Sequence, residues 1–128
     1  MRDYTKIHAW QFADDLTVAV YEATKSFPRE EIYGLTSQLK RASSSVPANI
    51  AEGSARSTRK DYLHFLHIAR GSLAETQYFI HLSSRLGYLQ GSLVDKLQLQ
   101  TKSAFACLHG LIRAVEKEDL GNSQKSPA

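Results

Sequence analysis

A chain of 128 residues with 42% hydrophobic and 23% charged residues has the length and composition of one folded domain, and extensive disorder is excluded. Cys107 is the only cysteine, so no intrachain disulfide or cysteine-cluster metal site can form, and a reducing, cytoplasmic setting is expected. A net charge of +3 permits a polyanionic partner without requiring one, and charges at Arg2, Asp3, Lys6, Asp14 and Asp15 leave no apolar core for a signal segment. No apolar run approaches the ~18 residues that span a bilayer, so no membrane role is expected.

The first helix is expected from about Ile7 to Phe27, with Trp10, Ala13, Leu16, Val20, Tyr21 and Thr24 on one face. Pro28 ends it, because a residue before proline is pushed out of the helical region. The second is expected from about Ile32 to Ala55, on the stripe Leu35, Leu39, Ala42, Val46 and Ile50. Pro47 interrupts it by removing a backbone donor and crowding the carbonyl of Ser43. The stripe keeps its phase across the proline, which predicts one kinked helix; two helices meeting at Ser45 are the alternative. Hydroxyls of Ser43, Ser44 and Ser45 stand near the freed backbone groups.

The third helix is expected from Thr58 to Leu86, opened by a Thr58–Asp61 capping box and closed by Gly87 in the left-handed conformation. Its stripe is Tyr62, Phe65, Ala69, Leu73, Thr76, Phe79, Ile80, Ser83 and Leu86. The fourth is expected from Ser92, capped with Asp95, to about Glu118, on Leu93, Leu97, Ala104, Leu108, Leu111 and Val115. Residues 121–128 are polar and aperiodic and read as a flexible tail after a 1–120 domain. Short connections between helices predict an all-α, antiparallel, up-and-down four-helix bundle.

A di-iron site in such a bundle needs Glu-x-x-His on two helices. The chain contains no such motif. His64 and His67 lie one turn apart but have no nearby carboxylate on their face, so no metal and no cofactor are expected. Cys107 and His109 are two apart on a helix and point in different directions. No nucleophile elbow or phosphate loop is present, and no enzymatic activity is expected.

Charge is less evenly spread. Between positions 40 and 60, Lys40, Arg41, Arg56, Arg59 and Lys60 stand against Glu52 alone. Three of these fall in the turn between the second and third helices, at a helix N-terminus where positive charge is unfavourable. The cluster is a candidate nucleic-acid contact, with a solvated basic turn as the alternative. Outside the helix seams, Ile68, Tyr78 and Leu82 on the third helix and Phe12 on the first form a candidate oligomer surface. Gly71 and Ala74 would allow close approach there.

Residues 33–75 carry Tyr33-Gly34-Leu35-Thr36-Ser37-Gln38, Arg41-Ala42, Val46-Pro47-x-Asn49-Ile50-Ala51-Glu52-Gly53 and Gly71-Ser72-Leu73-Ala74-Glu75. With Trp10-Gln11 and Arg85-Leu86-Gly87-Tyr88, this pattern resembles the four-helix-bundle proteins named for ribosomal RNA intervening sequences. The resemblance reaches to about Val115. It implies an antiparallel bundle that tolerates the internal proline, assembly as cyclic pentamers, and no established enzymatic activity. That family is also similar to the accessory proteins of diversity-generating retroelements, basic pentamers that bind a reverse transcriptase and nucleic acid. The implied function is an oligomeric scaffold or adaptor that binds RNA, DNA or a nucleic-acid enzyme. The alternative is a structural protein-interaction module with no nucleic-acid role. Asn49 and Glu52, one turn apart, are expected to bind backbone loosened by Pro47 and to pair with a basic residue of the third helix or of a neighbouring subunit; a ligand-binding role for the two is the alternative.

Overall fold

The computed structural model describes residues 2–125, with side chains through Glu118. Four α-helices account for most of it: α1 His8–Thr24, α2 Leu35–Ser54, α3 Arg59–Arg85 and α4 Gly91–Lys125. No strand occurs among the described residues. Helices α1 and α3 each pack on α2 and α4, and their backbones do not come close to one another, so the two occupy diagonal corners of the bundle.

The core between them is aliphatic. Leu16, Val20, Leu39, Val46, Ile50, Leu66, Leu73, Ile80, Leu97, Leu108 and Ile112 are all essentially inaccessible to solvent. Each contributes about 1.5–3 kcal/mol by leaving water. The α2 stripe lies inward as expected, in full. The other three stripes differ in detail. In α1 the small residues Ala9 and Ala23 face the core, while Tyr21 turns outward and carries the Lys40 ammonium 5.0 Å above its ring. In α3 Leu66 takes the central place and Phe65 is only half-buried, set against Gly53 and under the Arg56 guanidinium at the end of α2. Leu86 lies past the end of α3 and is exposed. In α4 Ile112 and Thr101 are buried, and Leu111 is half-buried.

The helix ends follow local chemistry. Thr58 Oγ1 accepts the amide of Asp61 at 3.1 Å and caps α3. At its other end the amides of Gly87 and Tyr88 donate to the carbonyls of Ser84 and Ser83 at 3.0 and 2.9 Å. This is the paired pattern that a left-handed residue creates, and Gly87 has φ +79°. Helix α4 begins at Gly91, so Ser92 lies inside its first turn rather than at the cap. It continues to Lys125, beyond the expected end near Glu118; residues 126–128 of the expected tail lie outside the described residues. Helix α1 stops at Thr24, and Phe27 is buried in the following turn, its ring 5.5 Å from that of Tyr88.

Helix α2 runs unbroken through Pro47, so two helices meeting at Ser45 are set aside. Proline leaves the Ser43 carbonyl without its usual helical donor. A residue of α1 replaces it: Thr17 Oγ1 lies 2.9 Å from the Ser43 carbonyl and 2.9 Å from the carbonyl of Ala13, sharing one proton between them. The serine hydroxyls do not take this role; Ser43 and Ser44 donate one turn back, to Lys40 and Arg41.

Candidate interaction surfaces

The Pro-x-Asn-Ile-Ala-Glu-Gly block packs α2 against α3. Pro47 and Ile50 are buried. Asn49 donates its amide to the Ser45 carbonyl at 2.8 Å and to the Ser45 hydroxyl at 2.9 Å. Ser45 in turn shares a 2.9 Å hydrogen bond with Ser72 of α3. Glu52 pairs with Arg56, one turn on, rather than with a residue of α3. Gly53 lies at a tight contact between the two helices. A Cβ at that position would stand 2.9 Å from Phe65 Cβ and 3.2 Å from the Tyr62 carbonyl.

Above this contact an open groove of about 690 Å³ runs between the two helices, lined by Arg41, Ala42, Ser45, Ala48, Glu75 and Phe79 among others. Arg41 is exposed here, and Lys40 is held against Tyr21 on the α1 side. Both lie roughly 20 Å along the axis of α2 from its end at Ser54, next to Arg56. The basic residues of the 40–60 stretch therefore form two groups, not one patch.

The second group sits at the end of the bundle. Arg56 is paired with Glu52 and its guanidinium lies 4.6 Å over the Phe65 ring. Arg59 is half-buried, with Nε 3.6 Å from the Glu118 carboxylate. Lys60 is exposed. Arg2 joins them, a residue that sequence reasoning missed because no periodicity links position 2 to position 56. Its Nη1 donates to the carbonyls of Ser54 and Arg56 at 3.3 and 3.1 Å, and its guanidinium lies 4.3 Å over the Tyr62 ring. It thereby supplies a cation and donors to the C-terminal end of α2. Burial pushes the Tyr62 phenol above its usual range, opposed by Arg2 and reinforced by Glu118.

At the opposite end Glu31 organises both connections. One carboxylate oxygen accepts the Leu35 amide at 3.1 Å, and the other accepts the Tyr88 hydroxyl at 2.9 Å. That hydrogen bond, aided by burial, raises the Tyr88 phenol above its usual 10.0. The folded state holds this proton where the unfolded chain releases it. The associated stability is therefore intact below pH 10.0 and is lost as pH rises through the raised value. Tyr88→Phe should lower the melting temperature at neutral pH and make its fall above pH 10.0 shallower, as read by circular dichroism across that range.

Of the residues expected on an oligomer surface, Phe12, Ile68 and Tyr78 are exposed, at 43%, 39% and 56%. Leu82 is half-buried and packs on the core. Val18, Leu99 and Tyr33 are further exposed apolar residues outside the expected set. His64 and His67 are exposed, and His67 Nδ1 lies 3.1 Å from the Arg70 guanidinium, which donates to it. Among the described residues no three His, Cys, Asp or Glu side chains gather as metal ligands, and no helix is long and apolar enough to cross a membrane.

No curated protein matches the chain. Among solved structures, it is similar to a protein with unknown function from the S23 ribosomal protein family from Bacteroides thetaiotaomicron. The TM-score is 0.75 at 20% identity, over 82% of this chain and 95% of the other. That likeness concerns the fold. The family model described as 23S rRNA-intervening sequence protein matches residues 5–110, which cover α1, α2, α3, the Pro-x-Asn-Ile-Ala-Glu-Gly block and the first part of α4. The chain belongs to the 23S rRNA-intervening sequence protein family.

Proposed function

We propose that the protein is a non-enzymatic, cofactor-free scaffold that works as a closed homo-oligomer in the cytoplasm. One observation carries the reading: Phe12 and Val18 on α1, and Ile68 and Tyr78 on α3, expose apolar surface on helices at diagonal corners of the bundle. Exposed apolar side chains mark an association surface where they join into a contiguous patch. Two different faces on opposite corners favour head-to-tail contacts, which close into a ring when the rotation allows. A ring of five, and kinship with the accessory proteins of diversity-generating retroelements, rest on the resemblance alone. The same reading includes an antiparallel course for the four helices and a bend at Pro47. Contacts of Arg2 with Ser54, and of Arg59 with Glu118, support the antiparallel course.

Light scattering coupled to size-exclusion chromatography tests the assembly. A uniform mass of several chains is expected, with five favoured. Tyr78→Lys with Ile68→Lys should shift it toward one chain while leaving the helical content unchanged. Both side chains are exposed, so the pair isolates association from folding better than a change at half-buried Leu82. A wild-type mass of one chain at micromolar concentration would sink the reading.

A second reading places an RNA or DNA contact at the bundle end, favoured by the convergence of Arg2, Arg56, Arg59 and Lys60 there. Glu52 and Glu118 each lie against one of these arginines, which lowers the local charge available to a polyanion. A purely structural protein-interaction module is the outcome if no nucleic acid binds at low salt.

A further inference from the structure

We infer that the cleft beside the α2–α3 connection is a phosphoryl-anion site built on Arg2 and Arg56. The cleft holds about 640 Å³ and is lined by Arg2, Ala55, Arg56 and Ser57. Both guanidinium groups are held in place before any ligand arrives. Arg2 lies over Tyr62 and is tethered by the Ser54 and Arg56 carbonyls. Arg56 lies over Phe65 and is tethered by Glu52. A guanidinium has five N–H donors in a rigid plane. These tethers engage Nη1 of Arg2 and Nη2 of Arg56. Donors therefore remain on both groups.

A planar fork matches two phosphoryl oxygens, and stacking on a ring reduces the side-chain freedom lost on binding. The charge balance narrows the ligand. Glu52 offsets Arg56, and the Asp3 carboxylate is turned to the amide and hydroxyl of Thr5. The uncompensated charge at the cleft is that of Arg2, which suits the single negative charge of a phosphodiester. The source of that phosphodiester, a nucleic-acid backbone, rests on the second reading above.

The test uses the full chain and two probes: a fluorescent single-stranded oligouridylate followed by anisotropy at low salt, and inorganic phosphate followed by NMR at the arginine Nε–H signals. Arg2→Gln and Arg56→Gln should each weaken oligonucleotide binding about tenfold, and Arg56→Lys should fail to restore it because the fork is lost. Lys102→Gln, exposed on α4, should change it less than about twofold. Arg2 also tethers the end of α2, so thermal melts accompany each variant; should Arg2→Gln unfold, the two Arg56 variants carry the test. Phosphate that perturbs the signals of both arginines while the oligonucleotide fails to bind would keep the site and remove its nucleic-acid source. Oligonucleotide binding untouched by any of these variants would overturn the site and leave the nucleic-acid reading standing. Binding of neither probe would overturn both.

Discussion

Gly53→Val should lower the stability of the fold by roughly 3 kcal/mol, the upper part of the range for forcing extra carbon into a packed seam. The first added atom already meets Phe65 Cβ at 2.9 Å, Tyr62 Cδ1 at 3.0 Å and the Tyr62 carbonyl at 3.2 Å. Two of these belong to groups that cannot swing away, a backbone oxygen and a Cβ fixed by its helix. Relief requires α2 and α3 to separate, which would also loosen Tyr62, buried at 2% exposure. Gly71→Ala supplies the control. A Cβ there meets nothing within 4 Å, so the helix gains without a clash. A rise of up to about 1 kcal/mol is expected, since alanine is the better helix former. Chemical denaturation of the two variants should move the midpoint in opposite directions. Equal and small shifts would mean that the seam yields at Gly53.

Thr17→Val should cost about 1–3 kcal/mol, the penalty for leaving a buried acceptor without a partner. Valine keeps the shape of threonine and removes the one hydroxyl that serves the Ser43 and Ala13 carbonyls, of which only Ser43 lacks a backbone donor. The dependence on Pro47 identifies the cause. With Pro47→Ala the residue at 47 regains a backbone N–H, which can return to Ser43 as in an ordinary helix. Thr17→Val should then be nearly silent, and the double-mutant cycle should show a coupling of about 1 kcal/mol or more. Additive effects in that cycle would mean that Thr17 contributes through its bond to Ala13 or through packing alone.

The proline and its hydroxyl partner mark the boundary of what sequence patterns contain. That the Ser43 carbonyl would need a new donor was legible from Pro47 alone. That the donor would be Thr17 was not, because the two stand 26 positions apart with no periodic relation; only the packing of α1 on α2 joins them. Arg2 was missed for the same reason. The α2 stripe was read in full because every member is separated from the next by three or four residues, the spacing of one helix face. The α3 stripe slipped at Phe65, where two adjacent apolar residues compete for one inward position and size alone does not decide. Leu66 lies nearer the centre of the face set by Tyr62, Ala69 and Leu73, and that angular count could have found it. Among candidate functional residues, the charges of Arg56 and Arg59 were legible, but their carboxylate neighbours were only partly so. Glu52 is one turn from Arg56, whereas Glu118 reaches Arg59 from the far end of the chain.

The ring of contacts among the helices has a kinetic meaning. Three of its seams join helices consecutive in the chain; the fourth, between α1 and α4, joins the first to the last. Closing that seam brings together the segments farthest apart in sequence, so it bears the largest loop-closure entropy. The α2–α3 pair needs only the short connection through Ser57 and is expected to pack early, with Gly53 near that connection. The expected order of assembly is a pairing of α2 with α3 that offers surfaces to α1 and α4, and a final docking of α1 on α4. Core substitutions between α2 and α3 should slow folding, while those at buried positions of α1 and α4, such as Leu16 and Leu97, should act mainly by speeding unfolding.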